Sequence, residues 1–254
     1  MTADPMLQWL GMPVGASAHA AEVDRIMVLV HWLMLVLFVG WGIFFAYVLV
    51  RFRRGRQPRA VYHGVRGRWS TRIEGGVLAA EIVLLAFFSI PFWSTNVDAL
   101  PEQHQSTVVR VVAEQFAWNV HYPGADGEFG PTNASLVSPD NPMGLDRTDP
   151  NGRDDITTIN RMNIPVGTQV IVFLSSKDVV HSFGLPQMRV KQDAVPGIVQ
   201  PIYFTPTELG RWDIACSQLC GLAHYRMRGI YEVQSQAAYD AWLKEEAALL
   251  VEQQ

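Results

Sequence analysis

Two long apolar stretches set the architecture before anything else in the chain is read. From Ile26 to Val50 the sequence runs IMVLVHWLMLVLFVGWGIFFAYVLV, 25 residues without a formal charge and with His31 as the only side chain that ionises near neutral pH. A helix of that length, at about 1.5 Å per residue, exceeds a hydrocarbon core of ~30 Å. A second stretch, GGVLAAEIVLLAFFSIPFW from Gly75 to Trp93, has 19 residues and carries only Glu81. A buried core helix needs only about 10–14 apolar residues, so both stretches are predicted to cross a membrane. Between them lies RFRRGRQPRAVYHGVRGRWSTR, residues 51–72, with eight arginines and no acidic residue. Short basic loops stay on the cytoplasmic side, which puts this loop inside and both termini outside. Residues 1–24 contain ASAHA, faintly like a signal-peptidase site, but no basic start and no continuous apolar segment precedes it. They are read as a retained external tail. The layout expected is thus a tail over 1–24, a transmembrane hairpin over 25–94, an external domain over 95–235 and a helical tail over 236–254.

Charge separates along the same boundary. Residues 94–254 hold 11 Lys or Arg against 19 Asp or Glu, a formal net charge of −8, and the inner loop hides this in a whole-chain value of −4. An acidic external domain favours cationic partners and argues against nucleic acid. Solubility alone is the plainer explanation of the same excess.

The external segment reads as strands. STVVRVVAEQFAWNVHYPG is rich in β-branched and aromatic residues bounded by turn formers, and similar segments resume from ITTINRMNIPVG to HYRMRGIYEVQ. Short strands between Gly and Pro turns argue an antiparallel sandwich or Greek-key barrel. Residues 123–155 are rich in Pro, Gly, Asn and Asp and form a long loop, of a length usually functional or mobile. Its acidic cluster lacks the spacing of an EF-hand.

The only two cysteines lie in CSQLCGLAHYRM, Cys216 to Met227, with His224 four residues after Cys220 and Met227 three beyond. As a helix these spacings would share one face. The strand-like RWDIA before them and Gly221 within favour a loop. Two cysteines in an oxidising compartment would ordinarily pair, which leaves the nearby His and Met unexplained. Two Cys and two His could hold zinc, yet Met is not a usual zinc ligand and CxxC is the commoner zinc spacing. Thiolate and thioether favour copper, and imidazole suits either copper valence. A mononuclear blue-copper site would leave one cysteine surplus and want a second histidine. Two coppers bridged by both thiolates, each with one terminal His, resolve both mismatches. His181 in SSKDVVHSFGLP supplies the second imidazole.

At these residues the chain resembles subunit II of the haem–copper cytochrome c oxidases. DVVHSF, VKQDAVPG and CSQLCGLAHYRM together are similar to that family's copper A signature, and the likeness covers nearly the whole chain. The resemblance implies an all-β, cupredoxin-like Greek-key domain preceded by a two-helix transmembrane hairpin. It implies a dinuclear copper A centre with Cys216 and Cys220 bridging and His181 and His224 terminal. Met227 and the Gln218 carbonyl would be weak ligands. The role implied is to accept electrons from a c-type cytochrome and pass them to haem in subunit I, where oxygen is reduced to water and protons are translocated. The implied setting is the cytoplasmic membrane, with the copper domain on the outer face. With no third cysteine there is no CxxCH haem attachment, so the donor is expected to be a separate protein.

The sequence departs from the family at three places. Gln218 stands where Glu is usual, and that carboxylate helps bind a magnesium at the subunit interface, so magnesium of the usual kind is not expected. In EQFAWNVHYP, Phe116 takes the position of the family's electron-accepting Trp and Trp118 follows two residues later. Either could line the electron route, and either could simply be core. RIEGGVLAAEIV keeps Glu74, which the resemblance marks as a proton-pathway residue, but not the family's neighbouring Trp and Pro. Glu81 is the stronger physical anomaly, because ionisable groups inside a span face protein or water.

Overall fold

The computed structural model describes residues 5–56, 59, 62, 67–97 and 101–253, and much of the expected inner loop lies outside them. After a short helix α1 (Pro5–Trp9), the two apolar stretches form helices of the same compact unit: α2 (Ala20–Arg51), and α3 (Arg68–Leu84), which continues through a π turn at Leu85–Ser89 into α4 (Ile90–Val97). The π turn has a cause in the sequence. Pro91 has no N–H to offer the Phe87 carbonyl and its ring crowds that position, so the helix widens just upstream. Apolar side chains lie open around both long helical segments, among them Trp32, Phe38 and Phe45 on α2, Ile82 on α3 and Phe87 in the π turn. A helix apolar on all sides and left uncovered suits lipid rather than water. Both are long and apolar enough to cross a membrane. The first long helix, α2, begins at Ala20, five residues before the hairpin boundary read from the sequence.

The second unit is a sandwich of two five-stranded sheets. One has the order β3 (Ile156–Ile159), β2 (Ala117–Tyr122), β1 (Thr107–Glu114), β5 (Val170–Ser176), β8 (Gln200–Phe204). The other has the order β4 (Arg161–Pro165), β10 (Arg228–Gln234), β9 (Gly210–Cys216), β6 (His181–Leu185), β7 (Val190–Ala194). The sheets are mixed rather than wholly antiparallel, since β1 runs parallel to β5 and β4 parallel to β10. Alternation places Val109, Val111 and Ala113 of β1 inward. They meet Trp118, Phe183, Ile164 and Tyr231 in one core.

ITTINRMNIP, expected as one strand segment, is split between the two sheets at Asn160. Its φ of 57° lies in the left-handed region, and its side-chain oxygen accepts the Trp118 N–H at 2.8 Å. Its own carbonyl accepts the Ile230 N–H at 2.7 Å, so one residue ties β2 to β10 at the crossing. Asn enters this region because its short side chain finds such local partners.

Two further segments expected as tails belong to the sandwich. Residues 11–19 are laid along it: the Ala16 N–H donates to Gln187, the Ala18 N–H to Thr205, and the Thr207 N–H back to Ala16, while Ala16 is buried in the core. Helix α5 (Gln236–Gln253) packs Trp242 edge-on to Tyr122 at 5.1 Å between ring centres. The long loop 123–155 is pinned at its end by Asp155. That buried carboxylate accepts the Gly124 and Gly130 N–H groups and lies 2.5 Å from His121 Nε2.

Candidate metal centre

The site stands at one end of the second sheet, where strand pairing brings distant sequence together. β6 pairs with β9 through Phe183–Cys216 and Gly184–Ala215, and the Ser217 N–H continues the contact to the Ser182 carbonyl at 2.9 Å. His181 at the start of β6 thereby faces Cys216 at the end of β9. A side chain at Gly184 would strike Ser217 Oγ at 2.8 Å, so glycine permits this close approach. After Cys216 the chain loops through Cys220 into a short 3₁₀ turn, His224–Arg226, and enters β10. Gly221, with φ of 139°, makes the sharp bend in that loop.

The donor atoms converge. Cys216 Sγ and Cys220 Sγ lie 3.8 Å apart, well beyond the ~2.05 Å of a disulfide. His181 Nδ1 is 4.0 Å from Cys216 Sγ and 3.1 Å from Met227 Sδ, and Met227 Sδ is 3.6 Å from Cys220 Sγ. His224 Nδ1 is 3.6 Å from Cys220 Sγ. The Gln218 carbonyl lies 3.2 Å from Cys216 Sγ. His181, Cys220 and Met227 are buried. Two thiols, the His181 imidazole and the Met227 thioether form one cluster of soft and borderline donors, with His224 beside it at Cys220, and this set supports copper binding. Without metal, burial and then the neighbouring Cys216 push the Cys220 thiol up to about 11.

A set of supporting residues escaped the sequence reading. His181 Nε2 donates to Asp178 Oδ1 at 2.9 Å, which leaves Nδ1 turned to the sulfurs. Burial alone would raise the Asp178 carboxyl, but hydrogen bonds from His181 and from the Gln115 and Val179 N–H groups outweigh it and hold the group below its ordinary value. The signal was present in DVVH, since a ligating His ordinarily donates its other nitrogen to a carboxylate or carbonyl. Gln115 contributes twice, its side chain donating also to the Cys220 carbonyl at 2.7 Å.

The remaining predicted residues fall in different surroundings. Phe116 is half-buried, its ring lying against Gly221 next to Cys220. Trp118 is wholly buried, edge-on to Phe183 at 5.3 Å and to His181 at 6.2 Å between ring centres. Glu74 is exposed on α3 and accepts a hydrogen bond from Ser70 Oγ at 2.7 Å. The side chain of Gln218 is exposed, as are Leu219, Leu222 and Tyr225 around it.

Known proteins share this sequence organisation. The sequence model described as cytochrome c oxidase subunit II, periplasmic domain, matches residues 107–234. The alternative cytochrome c oxidase subunit 2 of Bradyrhizobium diazoefficiens is 33% identical over 241 residues, covering 94% of this chain and 84% of that protein. Cytochrome c oxidase subunit 2 of Cereibacter sphaeroides is 28% identical over 263 residues, covering 94% and 83%. Among solved structures, the periplasmic domain of subunit II of the Bradyrhizobium japonicum cytochrome oxidase superposes with a TM-score of 0.43 at 22% identity. It covers 60% of this chain and 99% of that one.

Proposed function

The chain belongs to the cytochrome c oxidase subunit II family, and from that premise we propose that its β domain holds two copper ions and relays electrons from a separate cytochrome toward haem in subunit I. As subunit II of a haem–copper oxidase it is part of an oxidoreductase complex, membrane-bound with the β domain outside. The observation carrying the dinuclear reading is the donor count. His181, Cys216, Cys220, His224, Met227 and the Gln218 carbonyl offer six donors, more than one four-coordinate ion needs. The two imidazoles approach different cysteines, His181 Nδ1 lying 4.0 Å from Cys216 Sγ and His224 Nδ1 3.6 Å from Cys220 Sγ, so each could serve a different ion. Copper, when bound, supplies a one-electron acceptor and donor.

The chain's own residues keep that chemistry rigid. Asp178 fixes the tautomer and ring orientation of His181, and Gln115 ties Asp178 and the Cys220 carbonyl to the start of β2. Trp118 and Phe183 fill the space behind His181 and keep water from it. Phe116 is the better candidate for electron input, because it is partly open and lies against the cysteine loop, whereas Trp118 is sealed inside. At Gln218 an amide replaces the carboxylate a magnesium would use, so we assign no magnesium through this position. Glu74 is kept as the proton-pathway candidate. Both termini are assigned to the outer side, supported by residues 11–19 lying along the same sandwich that α5 completes.

The test is electron paramagnetic resonance of the full chain, purified in detergent and loaded with copper. Hyperfine structure from two equivalent copper nuclei is expected, lost in Cys216→Ser and Cys220→Ser and retained with a shifted potential in Met227→Leu. Hyperfine structure from a single nucleus, or about one copper per chain, overturns the dinuclear reading.

A further inference from the structure

The first sheet carries, on the face turned away from the core, a cavity of about 780 Å³ whose lining includes no residue of the metal centre. Its floor follows from strand register. His121 of β2, Arg110 of β1 and Phe173 of β5 are direct partners across three strands, so their side chains leave the sheet on one side. Val108 and Val112 share that side by alternation, opposite the core-facing Val109 and Val111. The wall comes from the long loop after β2. Gly124 and Gly130 both donate backbone N–H groups to Asp155, at 3.0 and 2.8 Å, which closes residues 124–130 into a short arch. Gly127, Glu128 and Phe129 of that arch line the cavity. Phe129 stands edge-on to His121 at 4.9 Å between ring centres, and the Arg110 guanidinium lies 4.1 Å from the Phe129 ring centre.

Two groups in this row are left wanting partners. Arg110 is half-buried, yet its guanidinium makes no hydrogen bond or ion pair with any described residue. Burial lowers its pKa, and the charge of Asp155 only partly offsets this. The Asp155 oxygens already serve His121, Gly124 and Gly130. His121 is wholly buried, and its Nδ1 likewise has no partner among the described residues. A guanidinium stacked on an aromatic ring keeps its N–H edge for a planar acceptor with two oxygens. Around Arg110 the lining sets one acid, Glu128, and the apolar side chains of Val108, Val112, Met143 and Phe173. A singly charged anion with a hydrocarbon body matches that lining better than a doubly charged phosphate.

We propose that this cavity binds a small amphipathic monocarboxylate, with the carboxylate on the Arg110 guanidinium and the hydrocarbon against Val108, Val112 and Phe173. The site stands apart from the copper reading and does not rest on it.

The experiment is calorimetric titration of the full chain in detergent, and of the assembled oxidase purified through it, each against a detergent blank. The probes are octanoate, 3-phenylpropionate, octanamide and inorganic phosphate. At least one of the two carboxylates is expected to bind both preparations with a Kd below about 1 mM. Octanamide and phosphate should bind at least about tenfold more weakly, since neither offers a single carboxylate charge on a hydrocarbon body. Preference for octanoate indicates an acyl-chain source and preference for 3-phenylpropionate an aromatic one, and either supports the site. Arg110→Gln is expected to weaken carboxylate binding about 10–100-fold, the range for losing a hydrogen-bonded charge. Val108→Phe keeps Arg110 but fills the floor, so it should abolish binding and serves as the reading if Arg110→Gln fails to fold. Copper per chain should be unchanged in both variants. No carboxylate binding up to about 10 mM overturns the site, as does equal binding of octanamide or phosphate. Wild-type affinity in Arg110→Gln or Val108→Phe overturns it too. Binding by the lone chain that vanishes in the assembled oxidase would show the cavity covered by another subunit, and would overturn it equally.

Discussion

At the proposed copper centre, Asp178 does its work from outside the candidate ligand set. Its carboxylate receives the His181 Nε2 proton and two backbone N–H groups, so it holds the imidazole with Nδ1 toward the sulfurs. In Asp178→Asn the amide can present either a donor or an acceptor to that nitrogen, and the preference is lost. Copper affinity, measured by competition with a chelator, is expected to fall about 10–100-fold, the usual cost of removing such a partner. An unchanged affinity would mean the strand pairing alone orients His181. The Cys220 thiol gives a second expectation. Held at about 11 before metal binds, it is protonated across the neutral range, and copper must displace that proton. Apparent copper affinity should therefore rise with pH between about 6 and 9, by up to tenfold per unit for each proton released. Titration of copper uptake in weakly chelating buffer reads this directly, and a flat profile would show thiolates already formed.

At the level of elements, legibility in the sequence followed the range of the interaction. The two spans were plain because a membrane helix is specified by its own apolar length. The cysteine loop was plain because its donors sit within twelve residues of one another. The β3–β4 crossing was not, since ITTINRMNIP is strand-like throughout and only tertiary contacts with Trp118 and Ile230 turn Asn160 into a corner. The strap of residues 11–19 was hidden for the same reason: its hydrogen bonds go to residues 187 to 207, and nothing local announces them. Asn160 can be tested. Asn160→Ala keeps the left-handed backbone without the side-chain partner and should cost about 1–3 kcal/mol in thermal or urea unfolding of the β domain. Asn160→Gly relieves the backbone but still loses the Trp118 N–H acceptor, so it should fall between alanine and wild type. Equal stability of all three would remove Asn160 from its place as the clasp between the sheets.

Across the whole molecule, charge is arranged by compartment: a basic loop of eight arginines predicted inside, and a β domain and linker carrying −8 predicted outside. The cysteine loop itself offers a different surface, with Leu219, Leu222 and Tyr225 largely uncovered. Under the proposed function these two features would divide the work of meeting a donor. The long-range field would concentrate a cationic cytochrome near the domain, and the apolar loop would provide a short-range contact that salt hardly touches. The division has a kinetic consequence. Raising ionic strength from about 0.01 to 0.15 M shortens the Debye length from ~30 to ~8 Å, which removes steering while leaving contact intact. Electron input from a basic cytochrome c, followed by stopped-flow reduction of the oxidase under second-order conditions, should slow by about tenfold or more over that range. Leu222→Ala should instead lower the rate by a similar factor at every salt concentration, because it alters the contact and not the field. A rate independent of ionic strength would exclude a steered, diffusing donor, and would place the electron source in a partner already docked on the complex.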